Sequence, residues 1–216
     1  MKVTVLLDNP QTWFLSHARK LVEDLTTRGH EATLIHDAAL LPKGDVAFFL
    51  SVEHIIPSEV LKRNTHNIVI HGSAVPQGKG WSPLTWQILE GKDDITVSMF
   101  EAAQRVDSGN VYDTEIVHFD GSELIDELRD KQALAIIALA LRFIDVYPPG
   151  TGKVQEGEES FYPRRGATDS EIDPNKSIVE LFNQLRVADN ERYPSFFKYR
   201  GHTYTLKIYK KNREEK

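Results

Sequence analysis

Residues 67–110 read NIVIHGSAVPQGKGWSPLTWQILEGKDDITVSMFEAAQRVDSGN. The run IVI at residues 68–70 is continuously β-branched or apolar, which predicts a buried strand that ends at His71. Open α/β sheets place their binding sites at this carboxyl edge. Residues 72–80 are small or turn-forming, so they predict a loop whose backbone can approach a ligand closely.

The second half of this stretch predicts a short helix and another strand. Ser82 and Pro83 suit the N-cap and first turn of a helix that runs to about Glu90. Residues 95–100 predict a strand. That strand leads into the polar loop Asp107-Ser108-Gly109, so the stretch has a titratable residue near each end.

The flanking sequence predicts more of the same α/β pattern. Residues 3–7, 32–36 and 46–50 read as buried strands, and residues 13–28 read as a helix between the first two. Further along, residues 111–117 predict a strand and residues 122–145 a long, buried helix. The order of elements predicts a Rossmann-like, mostly parallel sheet flanked by helices.

A soft domain boundary is predicted near residue 150, where YPPGTG ends the long helix. Residues 1–150 would form the catalytic domain. Residues 151–216 would form a small C-terminal extension of loop, helix and hairpin. Residues 173–177 introduce the helix, which continues through Leu181, Phe182 and Leu185, and the hairpin turns at residues 200–201.

Composition limits the classes of function. The chain has 216 residues, a net charge of −6 and no cysteine, so disulfides and thiolate chemistry are excluded and broad binding of polyanions is disfavoured. The chain has no apolar run of the ~20 residues that a membrane helix needs. We expect a cytoplasmic protein without nucleic-acid or membrane partners. The basic residues near the end, Lys207, Lys210, Lys211 and Arg213, are interpreted as a solvated tail.

The central motifs resemble those of the folate-dependent formyltransferases, most closely the nucleotide-sugar N-formyltransferases. The resemblance rests on His71-Gly-Ser, on Ser82-Pro83 with Trp86, and on Asp107-Ser-Gly, which begins 36 residues after His71. The family usually has an asparagine two positions before the histidine, where this chain has Val69. Asn67 lies on the same face of the predicted strand by alternation and is a candidate substitute.

The resemblance implies roles for these residues. His71 would handle protons, Asp107 would be its partner, and Asn67 or donors near Gly72 would stabilise the oxyanion. Taken alone, His71 would more often be a core histidine and Asp107 a turn residue.

The resemblance also implies two sets of binding residues. The pterin of 10-formyltetrahydrofolate would lie against Phe49, Leu50, Ser51, Phe100, Glu101 and Ala102, for which core packing is the alternative. Candidates for acceptor binding are Ser73, Lys79, Trp81, Arg164 and Arg165, and for the two arginines a solvated loop is an equal alternative. His66 and His71 fall on opposite faces of a strand, so no metal site is predicted.

The expected function is transfer of a formyl group from 10-formyltetrahydrofolate to the amine of a small acceptor, a nucleotide-linked amino sugar for surface glycans. The alternatives are formylation of methionyl-tRNA or glycinamide ribonucleotide, hydrolysis of formyl-folate, and a non-catalytic folate-binding module. A homodimer is compatible with the sequence, which does not decide the oligomeric state.

Overall fold

A computed structural model describes residues 1–211 of the chain. Its strands are Lys2–Leu6 (β1), Glu31–Ile35 (β2), Gly44–Phe49 (β3), Asn64–His71 (β4), Lys79–Gly80 (β5), Asp94–Glu101 (β6), Val111–His118 (β7), Phe161–Tyr162 (β8), Ser195–Tyr199 (β9) and His202–Leu206 (β10). Its α-helices are Leu15–Thr27 (α1), Ser58–Leu61 (α2), Pro83–Leu89 (α3), Ile125–Asp145 (α4) and Ile178–Arg186 (α5).

The central sheet has six strands in the order β2-β1-β3-β4-β6-β7. The pairs β1–β2, β1–β3 and β3–β4 are parallel, whereas β6 and β7 join in antiparallel fashion. The inner strands are apolar on both faces because helices cover the sheet. The predicted mostly parallel α/β fold is confirmed.

Helix α4 is the long helix predicted from the sequence, and its Leu128, Leu139 and Phe143 are buried in the main core. It begins at Ile125, three residues later than Ser122. The carboxylate of Glu127 accepts a hydrogen bond from the Leu124 N–H at 2.9 Å, so a side chain in the first turn satisfies a backbone donor at this end.

The C-terminal helix and hairpin share a small core of their own. Ile172, Leu181 and Leu185 are buried in it. Helix α5 begins after Ser177, whose N–H donates to the Glu180 carboxylate at 2.8 Å, while the Ser177 hydroxyl accepts from the Glu180 N–H at 3.3 Å. This reciprocal capping explains why the sequence signal for the helix was readable.

A buried ion pair joins this extension to the rest of the chain. The Arg186 side chain is 2% exposed, and its NH2 group donates to the Glu123 carboxylate at 3.1 Å. Its Nε donates to the Glu123 carbonyl at 3.0 Å. The contact fixes the end of α5 beside the start of α4.

The segment after residue 150, predicted as loop, is hydrogen-bonded to residues 1–150. Lys153 and Val111 exchange backbone hydrogen bonds of 2.8 and 2.7 Å, and β8 pairs in parallel with β5. Such two-residue strands carry no periodicity that a sequence could reveal. The sequence also predicts a short helix from Ser58 to about Asn64. Helix α2 ends earlier, at Leu61, and β4 already begins at Asn64.

No helix within residues 1–211 is long and apolar enough to cross a membrane. Two lysines of the basic end, interpreted as a solvated tail, are exposed and also form ion pairs at the surface. Lys207 pairs with Glu191 and Lys210 with Glu127, both at 2.8 Å. Arg213 lies outside the described residues.

Candidate functional site

A cavity of about 740 Å³ lies at the carboxyl ends of β3 and β4, beside the loop that follows β1. Its wall includes His71, the last residue of β4, and Asp107, from the loop between β6 and β7. Residues of α4 and of the C-terminal extension complete the cavity. The strand-edge location is the one that the sheet topology favours for a ligand site.

His71 and Asp107 approach each other in this wall. The Nε2 atom of His71 lies 3.8 Å from Oδ2 of Asp107, and the two side chains are 12% and 13% exposed. The same Nε2 lies 3.0 Å from the carbonyl oxygen of Gly78. The structure therefore brings together two residues that are 36 positions apart in the sequence.

The contact with Gly78 decides which nitrogen of His71 carries a proton. A carbonyl oxygen can only accept, so Nε2 must be the N–H donor. In the neutral ring Nδ1 then holds a lone pair and is free to accept a proton from a ligand. The Asp107 carboxylate near Nε2 would stabilise the imidazolium that results.

The loop that holds Asp107 includes a residue with a left-handed backbone conformation, Asp107 itself. Asp107 has a φ of 49°, in the left-handed region that aspartate tolerates better than most residues. Its Oδ2 accepts from the Gly80 N–H at 3.0 Å. The side chain of Gln155 donates to the carbonyls of Asp107 and Gly109 at 2.9 and 2.8 Å. The carboxylate is therefore held by β5, and the backbone of its loop is held by Gln155.

Gly80 explains why the loop before α3 is glycine-rich. Its φ is +93°, and a Cβ there would lie 2.7 Å from the Tyr162 carbonyl. Without a side chain, β5 can pair with β8 while the Gly80 N–H reaches Asp107. The short strand pair β5–β8 thus helps to set the distance between His71 and Asp107.

Two of the predicted acceptor-binding residues, Lys79 and Ser73, do not line the cavity. Lys79 is 1% exposed, and its ammonium pairs with Glu159 at 2.8 Å. Its neighbours Gly78 and Gly80 face His71 and Asp107, so alternation along the chain directs Lys79 the other way. Ser73 is 1% exposed, and its hydroxyl has no partner within residues 1–211.

Asn67 is also remote from the cavity. Its side-chain amide donates to the Leu61 carbonyl at 2.9 Å. It shares a face with His71, as expected, but four residues of strand separate them by roughly 13 Å. Val69 lies between the two and does line the cavity. The alternation pattern predicted correctly that Asn67 lies on the same face of β4 as His71. It could not predict that the side chain is too far along the strand to line the cavity.

One wall of the cavity is apolar and includes three of the six predicted pterin-binding residues. It is formed by Phe49, Ile56, Leu61, Val69, Phe100 and Ala102. Ser51, directly after β3, lines the cavity as well. Leu50 does not, because it is buried in the main core. Glu101 does not either, because its carboxylate accepts from the Tyr112 hydroxyl at 3.0 Å on the other face of the sheet.

Another wall is rich in arginine. Five arginines and three carboxylates line the cavity, an excess of two positive charges in a chain of net charge −6. They are Arg105, Arg129, Arg164, Arg165 and Arg192, with Glu53, Asp107 and Asp189. This local excess favours an anionic ligand, although the whole chain repels polyanions.

The predicted acceptor residues Trp81, Arg164 and Arg165 all line the cavity. The Arg164 guanidinium lies 4.5 Å from the centre of the Trp81 ring and donates to Glu53 at 3.2 Å. Burial lowers the pKa of Arg165, and its Nε has no hydrogen-bond partner within the described part of the chain. The two arginines are therefore not simply part of a solvated loop.

Sequence reasoning missed Arg129, Gln132, Arg192 and Tyr193, which line the same cavity. Arg129 and Gln132 are on α4, whose apolar pattern suggested only a packing role. Arg192 and Tyr193 follow α5, in a turn without a recognisable motif. The excess of arginine in an acidic chain is visible only once these segments have folded together.

No group of three or more histidine, aspartate or glutamate side chains in residues 1–211 has the arrangement to hold a metal ion. His66 instead lies 3.2 Å from the Glu101 carboxylate and packs edge-on against Phe143.

Comparison with known proteins places the chain in a family. Residues 9–138, more than half of the chain, match the family described as formyl transferase. A methionyl-tRNA formyltransferase of Sulfurihydrogenibium sp. (strain YO3AOP1) is 28% identical over 146 residues, which cover 66% of this chain and 47% of that protein. The chain thus spans about half the length of this curated relative.

Solved structures share the fold. Methionyl-tRNA formyltransferase from Clostridium thermocellum superposes with a TM-score of 0.81 at 20% identity, over 100% of this chain and 95% of the other. A likely sugar N-formyltransferase from Mycobacterium tuberculosis, Rv3404c, superposes with a TM-score of 0.76 at 15% identity, over 99% of each chain. The chain belongs to the formyl transferase family, whose members use formyl-tetrahydrofolate as the formyl donor.

Proposed function

We propose that the protein transfers a formyl group from 10-formyltetrahydrofolate to the amine of a nucleotide-linked amino sugar, as a step in making surface glycans. The observation that carries this proposal is the His71–Asp107 pair in a cavity that has one apolar wall and one arginine-rich wall. The pair suits proton transfer, and the two walls suit two chemically different ligands.

The apolar wall fits the donor. A pterin ring is flat and largely apolar on its faces, so it would lie against Phe49, Val69, Phe100 and Ala102. When bound, the donor supplies the formyl carbon that the acceptor amine attacks. Ser51, after the end of β3, adds polar groups at the edge of this wall.

His71 would move the proton during transfer. The amine must lose a proton as its nitrogen bonds to the formyl carbon, and Nδ1 of His71 is the free acceptor. The departing nitrogen must gain a proton, which the resulting imidazolium can return. Asp107 would hold the imidazolium in place, and a positioned acid–base group of this kind contributes typically ~10²–10⁴-fold in rate.

Oxyanion stabilisation must come from donors other than position 69, because the Val69 side chain has no polar atom. Asn67 is too far away to take this role. The remaining candidates are the imidazolium of His71 and backbone donors near Gly72, which also lines the cavity. Because this site has fewer donors for the oxyanion, we expect its turnover number to be lower than that of a site with the asparagine.

The acceptor is proposed from charge. Recognition of tRNA requires several phosphates to be neutralised, and a chain of net charge −6 opposes this at long range. A nucleotide-linked sugar carries few negative charges, which the arginine-rich wall can match. Methionyl-tRNA is the second candidate, because the relative that is 28% identical formylates it by name.

The test is formylation of defined acceptors. The protein is incubated with 10-formyltetrahydrofolate and a panel of nucleotide-linked amino sugars, with methionyl-tRNA, or without acceptor, and products are followed by mass spectrometry. We expect one nucleotide-linked sugar to gain a formyl group and the tRNA to remain unchanged. Comparable conversion of methionyl-tRNA would overturn the acceptor assignment. Formate release without acceptor consumption would identify a hydrolase, and no turnover with folate bound would identify a binding module.

A further inference from the structure

The five arginines of the cavity are not equivalent, because three of them already have carboxylate partners. Arg129 pairs with Asp189 at 2.9 Å, and Arg164 pairs with Glu53 at 3.2 Å. Arg105 is 77% exposed and pairs with Glu159 at 3.2 Å. A ligand anion would have to compete with a protein carboxylate at each of these three sites.

Arg165 has no such partner. No carboxylate oxygen of residues 1–211 lies within 4.0 Å of its guanidinium, although the charge of Asp169 acts on it from further away. Its NH2 group donates to the carbonyl of Asp169 at 3.0 Å, and its Nε is buried without a hydrogen bond. The guanidinium lies 5.8 Å from the centre of the Trp86 ring. A buried donor with no acceptor is costly unless a ligand completes it.

Arg192 is the second arginine of this kind. Its side chain makes no ion pair or hydrogen bond to any residue described in the structure, while its backbone is tightly held. The Asp189 carboxylate accepts from the N–H groups of Glu191 and Arg192 at 3.1 and 3.0 Å. Because Asp189 also binds Arg129 of α4, the backbone of Arg192 is held at the cavity, while its exposed guanidinium has no partner among residues 1–211.

We infer that Arg165 and Arg192 together bind the diphosphate of the acceptor. This inference rests on the proposed function, and it replaces the expected pair Arg164 and Arg165. Guanidinium groups present paired N–H donors that match phosphate oxygens. Arg164 already contacts the Trp81 ring and pairs with Glu53, and a phosphate would have to compete with these contacts.

Two anions could meet these arginines, because the glutamate tail of the folate donor also carries carboxylates. The arrangement of the cavity favours the acceptor. The apolar wall proposed for the pterin is formed by residues of β3, β4 and β6 and the segments that follow β3 and β6. The backbone of Arg192 is bound by Asp189, which in turn pairs with Arg129 of α4. Arg129 lies 5.8 Å from the centre of the Trp13 ring, in the segment between β1 and α1. Arg165 and Arg192 both belong to the C-terminal extension, so we assign the acceptor diphosphate to the part of the cavity that the extension lines.

The experiment measures binding without turnover. Uridine diphosphate is titrated by calorimetry into the wild-type protein, Arg165→Gln, Arg192→Gln and the control Arg19→Gln. Arg19 is an exposed arginine of α1 outside the cavity, so its variant matches the change in net charge. We expect each cavity variant to weaken binding about 10- to 100-fold, the range for loss of a hydrogen bond between charged groups. The control should stay within twofold.

A second arm separates the two sources of the anion. Tetrahydrofolate and tetrahydropteroate, which lacks the glutamate, are titrated into the same four proteins. We expect Arg192→Gln to bind both folates as the wild type does. Weaker tetrahydrofolate binding with unchanged diphosphate binding would overturn the inference and move the pair to the donor. Failure of the wild type to bind uridine diphosphate, or equal binding by all variants, would also overturn it.

Failure of this inference and failure of the proposed function give different results. If diphosphate binding requires both arginines but no amino sugar is formylated, the proposed acceptor class is refuted and the anion site is supported. If an amino sugar is formylated and the variants keep the wild-type KM for it, the anion site is refuted and the proposed function is supported. Thermal unfolding of each variant within about 3 °C of the wild type would show that the fold is intact, since a loss of 1 kcal/mol lowers Tm by about 2–4 °C at this size.

Discussion

Replacement of Asp107 by asparagine tests whether its charge supports His71. Asparagine keeps the shape, adopts the left-handed backbone at φ 49° and can still accept from the Gly80 N–H through its side-chain oxygen. Alanine would add backbone strain to the loss of charge. The asparagine variant therefore removes the charge and leaves the loop.

The expected size follows from the geometry. Unit charges 3.8 Å apart interact by about 4 kcal/mol at an effective dielectric constant of about 20, which sets an upper limit near a thousandfold in rate. Solvent reaches both side chains to a small extent, so we expect kcat to fall by about 10²- to 10³-fold. Binding of tetrahydrofolate should not change, because the apolar wall is intact.

The assay is the initial rate of formylation of the identified acceptor at saturating donor, with kcat and KM determined separately. The control is Asp24→Asn on α1, a surface aspartate outside the cavity whose change in charge is the same. A loss below tenfold in the Asp107 variant, with unfolding unchanged, would refute the role of its charge. A large rise in KM with kcat retained would show that Asp107 binds the acceptor instead.

Three further predictions follow from particular contacts. Arg186→Met should lower the free energy of unfolding in urea by about 3 kcal/mol, because it leaves the buried Glu123 carboxylate without one of its partners, and a loss below about 1 kcal/mol would contradict the docking described here. The hydrogen bond from Lys79 lowers the pKa of Glu159, so this contact stabilises the fold at a pH above the ordinary glutamate pKa of about 4.3. The stabilisation is lost as the pH falls through the lowered pKa. Between about pH 4.5 and 3, Lys79→Met should therefore lose less stability than the wild type. An equal acid sensitivity would show that the pair does not act in this way. Val69→Asn should raise kcat at least tenfold if an oxyanion donor is what the site lacks, and an unchanged or lower kcat with normal donor binding would show that other donors suffice.

The sequence alone determined the order of the six strands of the central sheet and of the helices between them, because strand and helix periodicities are local. It placed His71 at the end of a strand and Asp107 in a loop, and it predicted the capped helix that begins after Ser177. It also gave the correct face for Asn67. These features depend on residues within a few positions of each other in the chain.

The tertiary structure decided which side chains reach the cavity. Lys79 is turned away by its contact with Glu159, a residue 80 positions later, and the segment that carries Glu159 had no periodic pattern. Arg192 enters the cavity because Asp189 binds Arg129, 60 positions earlier. Contacts at such separations depend on how packed elements meet in space, and neither residue type nor local spacing encodes that. The candidate pair His71 and Asp107 was therefore predictable from the chain, whereas the shape and charge of the cavity around it required the fold.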